Sequence, residues 1–334
     1  MSGNPSLDEF GRIARYFAPL ARSAKGAFGL TDDAAVFDCP AGEEIVVTTD
    51  AMVSGVHFLP DDPADLVARK TLRVNLSDIA AMGAVPFGYT LVTALPRALA
   101  GPAGEAWLER FADGLRSDQE AFGVTLLGGD SVSTPGPLMV SITVLGRIPK
   151  GQAVTRGGAR AGDLIFLSGT LGDGALGLRV LQGGLAGLSR EHQESLADRY
   201  RLPRPRVGLG PRLVGLASAM LDVSDGLVGD LRHIADVSSV AAEIRIDRLP
   251  LSAAAWAAIE QDKSVVEAVL TGGDDYELLF TAPPSRREAV IAAAADAGVP
   301  VAEIGRVLAG KPGVTVLDLA GEPMTLTAAG YVHF

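Results

Sequence analysis

Aspartates recur along nearly the whole chain in short motifs, most with a glycine close by. They are LTDDAAV (Asp32, Asp33), TTDAMVSGVHF (Asp50), NLSDIAAMGA (Asp78), LLGGDS (Asp130) and DVSDGL (Asp222, Asp225), and GGDDYEL (Asp274, Asp275) adds a further acidic loop. Carboxylates gathered in one site repel one another and are driven to protonate unless divalent cations neutralise them. Hard oxygen ligands that leave several waters in place suit Mg²⁺, which usually arrives with the phosphates of a nucleotide. The pattern points to a Mg-nucleotide enzyme.

Positioning these motifs requires alternating helices and strands. Leu7, Phe10, Ile13, Phe17 and Leu20 recur at helical spacing and predict a helix over 6–22, capped by Ser6. Short strands follow at 34–37 and 45–49, the second ending directly on Asp50, so that metal-type residues sit at strand ends. Asp62-Pro63 opens a helix running to residue 82, in which Asn75 and Asp78 are three apart and share a face. Strands at 89–95, 124–127 and 138–148 enclose a helix at 105–122. Beyond a boundary at Pro149-Lys150-Gly151, the pattern gives strands at 164–168, 220–223 and 242–246 and helices near 175–181, 191–199, 207–217 and 286–297, then final strands. Alternation of this kind indicates a mixed α/β or α+β protein of two domains, 1–150 and 151–334.

Individual motifs differ in weight. Gly305 to Lys311, GRVLAGK, matches seven positions of a P-loop, but Pro312 stands where a Mg²⁺-binding hydroxyl is needed and a strand follows in place of a helix, so a plain turn is the better reading. DVSDGL brings Asp222, Ser224 and Asp225 to a helix N-terminus, where amides and the helix dipole favour phosphate or a Mg²⁺-bound group; Asp225 alone is equally an ordinary cap. GGD at 128–130 also describes a strand-ending turn. His57 is placed in a loop to donate to a substrate phosphate, and Arg156 to reach nucleotide phosphates from the second domain, each against a plain surface role. His192, His233 and His333 have no zinc-type spacing, and there is no CxxC or nucleophile elbow.

Composition excludes several classes. The 334 residues carry a formal charge of −11, without the clustered Lys and Arg that hold a nucleic-acid backbone. Cys39 is the only cysteine, so no internal disulfide forms, as suits a reducing cytoplasm. The N-terminus lacks signal-peptide character, and no apolar run reaches the roughly 18 residues of a membrane span. A cytoplasmic protein with no nucleic-acid or membrane partner is expected.

Taken together, ARYFAPL, TDDAAV, TTDAMVSGVHF, NLSDIAAMGA, GGDS, TRGGARAGD, LDVSDGL, GGDDYELLF and the terminal GYVHF closely resemble the thiamine-monophosphate kinase family. Its superfamily includes aminoimidazole ribonucleotide synthetase and selenide, water dikinase. The match is collinear from about Phe10 to Phe334. The resemblance implies a two-domain aminoimidazole ribonucleotide synthetase-like fold and a homodimer whose N-terminal domains pair through a β-barrel-like sheet. It also implies ATP in a groove between the domains and transfer of the γ-phosphoryl group to thiamine monophosphate. By the same resemblance Asp33, Thr48, Thr49, Asp50, Asp78, Asp130, Asp222 and Asp225 correspond to Mg²⁺ positions. Gly129, Asp130, Arg156 and Ser224 correspond to ATP contacts, and His57, Asp274 and Ala328 to thiamine monophosphate contacts.

Two departures stand out. Thr31 replaces the glycine usual before the paired aspartates. Ala328 replaces an aromatic residue associated with the substrate ring, which transfers stacking to Tyr331 or another residue, or else lowers substrate affinity. No reactive cysteine lies near the N-terminus, as in selenide, water dikinase, nor in a tail, as in the hydrogenase-maturation relatives. Aminoimidazole ribonucleotide synthetase is the nearest enzymatic alternative, and a nucleotide-binding regulator without catalysis the alternative from another class.

Overall fold

The computed structural model describes residues 9–31, 34–99, 101–327 and 330. The chain divides into two compact units, Met1–Ile79 with Val85–Lys150, and Ala80–Ala84 with Gly151–Phe334.

The first unit begins with α1 (Glu9–Arg12), a π-helical turn (Ile13–Phe17) and two 3₁₀ segments (Ala18–Ala21, Lys25–Leu30). Over residues 9–22 the expected helix is therefore present as short, differently wound pieces, with Pro19 at the start of the first 3₁₀ segment, and its expected cap Ser6 lies outside the described residues. Four strands, β1 (Glu43–Val53), β2 (Val85–Pro96), β3 (Thr125–Thr134) and β4 (Met139–Pro149), form one sheet in the order β1-β4-β2-β3. β4 lies antiparallel to both β1 and β2, and β3 runs parallel to β2. Alternate residues of β4 are buried, as a strand with one covered face requires. Among the described residues the sheet is open, with β1 and β3 as its edges.

Two helices accompany it, α2 (Ala64–Ala81) and α3 (Pro102–Phe122). α2 runs unbroken past Asn75 and Asp78 and buries Val67, Leu72, Leu76 and Ile79. α3 ends on Gly123 in the left-handed conformation, a common helix stop. Arg69 and Arg73 of α2 both reach the fully buried Asp118 of α3, Arg73 through two bonds of 2.6 and 2.9 Å.

In the second unit six strands follow the order β10-β7-β9-β5-β8-β6. They are β5 (Leu164–Ser168), β6 (Ala219–Asp222), β7 (Ala241–Arg245), β8 (Leu278–Ala282), β9 (Val301–Leu308) and β10 (Gly313–Leu317). Only β10 and β7 pair in parallel. Both faces of this sheet are covered. Ile165, Leu167, Leu221 and Leu279 pack with α4 (Asp173–Leu181), α5 (Arg190–Arg201), α6 (Leu227–Ser238), α7 (Ala253–Gln261) and α8 (Val265–Thr271). On the other face Phe166, Met220 and Phe280 pack with α9 (Arg287–Asp296), the two phenyl rings stacking at 5.3 Å.

Three expectations fail locally. Residues 35–40 are irregular, not a strand. The helix expected at 207–217 is reduced to a 3₁₀ turn (Gly210–Leu213), since Gly208, Gly210, Pro211 and Gly215 punctuate the segment. The strand ends expected to carry metal-type residues lie elsewhere: β1 continues three residues beyond Asp50, and β3 runs straight through the Gly-Gly-Asp motif.

Candidate active site

Register across the first sheet sorts the acidic residues. Asp50 of β1 lies opposite Ile142, which lies opposite Leu91, which lies opposite Gly129. Residues in one such row share a face, and neighbours along each strand point to the other face. Ile142 and Leu91 are buried, and Thr48, two residues before Asp50, points to the same side. There the Thr48 hydroxyl donates to Asp78 Oδ2 on α2 at 2.7 Å. Asn75, one turn earlier on the same helix, accepts the N–H of Asp50 at 3.0 Å and donates its own Nδ2 to Thr71 O at 2.9 Å. This buried amide fixes edge strand β1 to α2 at the position of Asp50.

Asp130 falls in the next row, opposite Val92 and in line with Ser141 and Ala51, and so points to the opposite face. Thr49 shares that face; its hydroxyl meets that of Thr143 at 3.0 Å. Gly129 sits so close to β2 that a Cβ would collide with the carbonyl oxygen of Leu91. Beside this point lies a cavity of about 690 Å³, with Ile13, Phe17, Leu30 and Leu126 as apolar wall and Gly129 and Asp130 at its polar side. His57, in the loop after β1, accepts the N–H of Val53 on Nδ1 at 3.0 Å, which leaves the proton of the neutral ring on Nε2. The buried Lys70 holds the His57 carbonyl at 3.0 Å.

The second unit assembles the remaining residues around two loops. Strand β6 ends on the buried Asp222, and the chain passes through Ser224, Asp225 and Gly226 into α6. Residues 272–277 lie against this loop: Asp274 donates its N–H to Ser224 O at 2.9 Å and Tyr276 to Val223 O at 2.8 Å, while Val223 donates to Glu277 O at 2.8 Å. Gly273 is obligatory here, because a Cβ would strike Ser224 O. Asp274 and Tyr276 both adopt positive φ, 72° and 53°, a costly conformation for residues with side chains.

Three buried carboxylates hold these loops. In the loop read as a phosphate or Mg²⁺ site, the amides of Ser224, Asp225 and Gly226 all donate to Oδ2 of Asp230, at 3.0, 3.1 and 3.2 Å. Burial pushes the Asp230 carboxyl up to about 7, against the pull of the Asp225 and Ser224 N–H groups and of the nearby Arg156 charge. That influence puts the exposed Arg156 in the field of the same loop. Asp275 is fully buried, accepting the N–H groups of Gly172 at 2.7 Å and Gly174 at 3.0 Å at the start of α4. Its carboxyl is pushed up to about 8, chiefly by burial. Of the paired acids in GGDDYEL only Asp274 is partly exposed. Glu277, also buried, accepts from Arg199, Arg206 and Ser168, which fastens the end of β5 to the start of β8.

The structure thus brings Thr48 to Asp78 in one unit, and Asp222, Ser224, Asp225 and Asp274 into paired loops in the other. It separates Asp50 from Asp130 by face and by edge. Among the described residues no three His, Cys, Asp or Glu side chains are grouped to hold a metal ion. Asp33, Ala328 and Tyr331 lie outside the described residues. Asp230 escaped the sequence reading, although an acidic residue in the first turn of a helix is a recognisable signal.

Comparison with known proteins places this geometry. Residues 31–148 match the model of the AIR synthase related protein N-terminal domain, and residues 160–318 that of the C-terminal domain. Thiamine-monophosphate kinase of Caulobacter vibrioides is 44% identical over 330 residues, covering 97% of this chain and 90% of that protein. The chain belongs to the thiamine-monophosphate kinase family. The family enzyme from Escherichia coli K12 is 42% identical, with 98% of each chain covered. Among solved structures, thiamine-monophosphate kinase from Stenotrophomonas maltophilia superposes with a TM-score of 0.80 at 41% identity, covering 93% of this chain and 98% of that one. AaThiL complexed with AMPPCP and TMP gives 0.77 at 32% identity, covering 92% and 97%. The hydrogenase maturation protein HypE, at 20% identity and a TM-score of 0.77, shares the fold alone.

Proposed function

We propose that this member of the thiamine-monophosphate kinase family phosphorylates thiamine monophosphate with ATP, giving thiamine diphosphate and ADP, the last step of thiamine diphosphate biosynthesis. The observation that carries this reading is the pairing of the 222–226 loop with the 272–277 loop, which sets the nucleotide-side residues Asp222, Ser224 and Asp225 beside Asp274 on the acceptor side. It is supported by near full-length relatives of that name and by a solved neighbour holding AMPPCP and TMP together.

The acceptor phosphate is already ionised near neutral pH and needs little help from a general base. The chain's task is to align two anions for direct in-line transfer, without a phosphoenzyme. Bound Mg²⁺ would offset the repulsion between the two phosphates. The donor chemistry fits that ion at more than one position, since Thr48, Asp50 and Asp78 on one face of the first sheet, Thr49 and Asp130 on the other, Asp222 and Asp225 in the second unit, and Asp33 supply only oxygens. Gly129, Asp130, Ser224 and Arg156 are assigned to the nucleotide, and the apolar cavity beside Gly129 offers its base a place out of water. His57, through Nε2–H, and Asp274 are assigned to thiamine monophosphate, with Ala328 near its ring.

In this reading residues 1–150 bind ATP and Mg²⁺ and dimerise, and residues 151–334 complete the nucleotide and substrate sites. A homodimer is supported by the two open edges of the first sheet and by Val47 and Val132, exposed on β1 and β3. A cytoplasmic location is proposed from the single cysteine; no helix among the described residues is long and apolar enough to cross a membrane. The test is to incubate purified protein with ATP, Mg²⁺ and thiamine monophosphate and to separate the products. Thiamine, aminoimidazole precursors and a chelator serve as controls. Equal amounts of ADP and thiamine diphosphate, abolished by chelation, are expected; nucleotide binding without thiamine diphosphate overturns the assignment.

A further inference from the structure

We infer that Asp230 is a positioning residue, whose carboxylate shapes the loop carrying Asp222 and Asp225 and, through it, the loop carrying Asp274. A single oxygen, Oδ2, receives three successive backbone N–H groups, from Ser224, Asp225 and Gly226. The backbone of Asp230 closes the same ring, donating its N–H to Gly226 O at 3.0 Å. The residue is 4% exposed, so its carboxylate is held out of bulk water.

Three consequences follow from the geometry. Convergence of the amides on one side turns the carbonyls of Val223 and Ser224 outward, where they accept the N–H groups of Tyr276 and Asp274. That contact holds Asp274 and Tyr276 in their positive-φ conformations. Asp225 is not the cap of α6: the N-cap is Gly226, with no side-chain bond, and the amide of Asp225 itself is held by Asp230. The Asp225 carboxylate is thereby kept for a cationic partner. The loop's affinity is thus directed to cations, because the amides that would attract phosphate are occupied internally. The inference rests on the kinase reading only for what the ordered loop serves; the ordering itself is independent of it.

Two variants and two readouts test it. Asp230→Ala removes the acceptor, whereas Asp230→Asn retains a carbonyl oxygen able to receive the same amides; Asp236→Ala, on the outer part of the same helix, is the control. Hydrogen exchange of peptides spanning 222–226 and 272–277 reports the ordering without any assay of turnover. Expected for Asp230→Ala is at least tenfold faster exchange in both loops. A tenfold or greater rise in the Mg²⁺ concentration for half-maximal activity and in KM for thiamine monophosphate is also expected. In Asp230→Asn both effects recover to within about threefold. Lower thermal stability with unchanged exchange in these loops, or unchanged Mg²⁺ and KM values, overturns the inference, as does equal damage in both variants. Should the wild type make no thiamine diphosphate while Asp230→Ala still frees both loops, the kinase reading falls and the ordering role stands.

Discussion

The N–H of Asp274 meets the carbonyl oxygen of Ser224 at 2.9 Å, and that bond ties the residue assigned to the acceptor to the loop assigned to the nucleotide. A phosphoryl transfer enzyme must hold two anions at a fixed separation, and a shared backbone contact does this more rigidly than two independent side chains. Asp274 sits there at φ 72°, so the loop pairing offsets a local conformational cost of about 1 kcal/mol or more.

Asp274→Asn is expected to keep the fold and the loop contact, which is made by the backbone, while weakening acceptor binding. Steady-state kinetics would give a KM for thiamine monophosphate raised roughly tenfold or more, the size of one lost charge-assisted hydrogen bond. The KM for ATP stays within about threefold. An unchanged KM for thiamine monophosphate removes Asp274 from the substrate site.

Thr48→Val leaves the shape of β1 nearly intact but takes away the 2.7 Å hydrogen bond to Asp78. A Mg²⁺ titration of activity should shift to higher concentration by several-fold, and Asp78→Asn or Asp222→Asn should lower kcat by roughly a hundredfold or more. Full activity in either Asn variant contradicts the metal assignment.

Stability in the first unit depends on the α2–α3 ion pairs. Asp118 is wholly buried and shared by Arg69 and Arg73. Asp118→Asn leaves two guanidinium groups without their counter-charge and should cost about 3 kcal/mol, the usual penalty for breaking a buried pair. Urea unfolding that retains the wild-type midpoint would refute this.

Asp275 gives the protein a pH-dependent stability. Its carboxyl titrates at about 8 in the folded state, mainly because it is buried, and near its ordinary value of 3.8 when unfolded. Between those values the folded chain keeps a proton that the unfolded chain has lost. The stability from this group is therefore complete at low pH and declines as pH rises toward about 8, by at most about 1.4 kcal/mol per unit. Asp275→Asn, which does not titrate, should flatten the decline in urea midpoints measured from about pH 5 to pH 8. Parallel slopes for the two proteins would show that another group is responsible.

Much of this architecture was legible in the chain, and the failures have physical causes. Strand 164–168 and the helices bearing Asn75, Asp78 and Ala175 were clear because apolar period and flanking turn residues agree there. β1 and β3 were cut short because Asp50 and the glycines of Gly-Gly-Asp look like strand terminators, whereas edge strands tolerate both polar and small residues. Motif reading singled out Asp225 and Asp274, which stand beside glycines in compact loops, and Asp222 at the end of β6. It missed Asp230, whose partners are backbone amides several residues earlier, a relationship visible only once the chain turns back on itself.

Among the described residues strand β1 hydrogen-bonds to a neighbouring strand on one side only, over eleven residues, and Val47 on it is 63% exposed. Such a border is adhesive by nature. During synthesis the first unit leaves the ribosome first, and the nascent chain presents that border in a crowded environment. The protein should consequently associate through this border as its concentration rises. A charged residue at position 47 is the simplest remedy for anyone producing it.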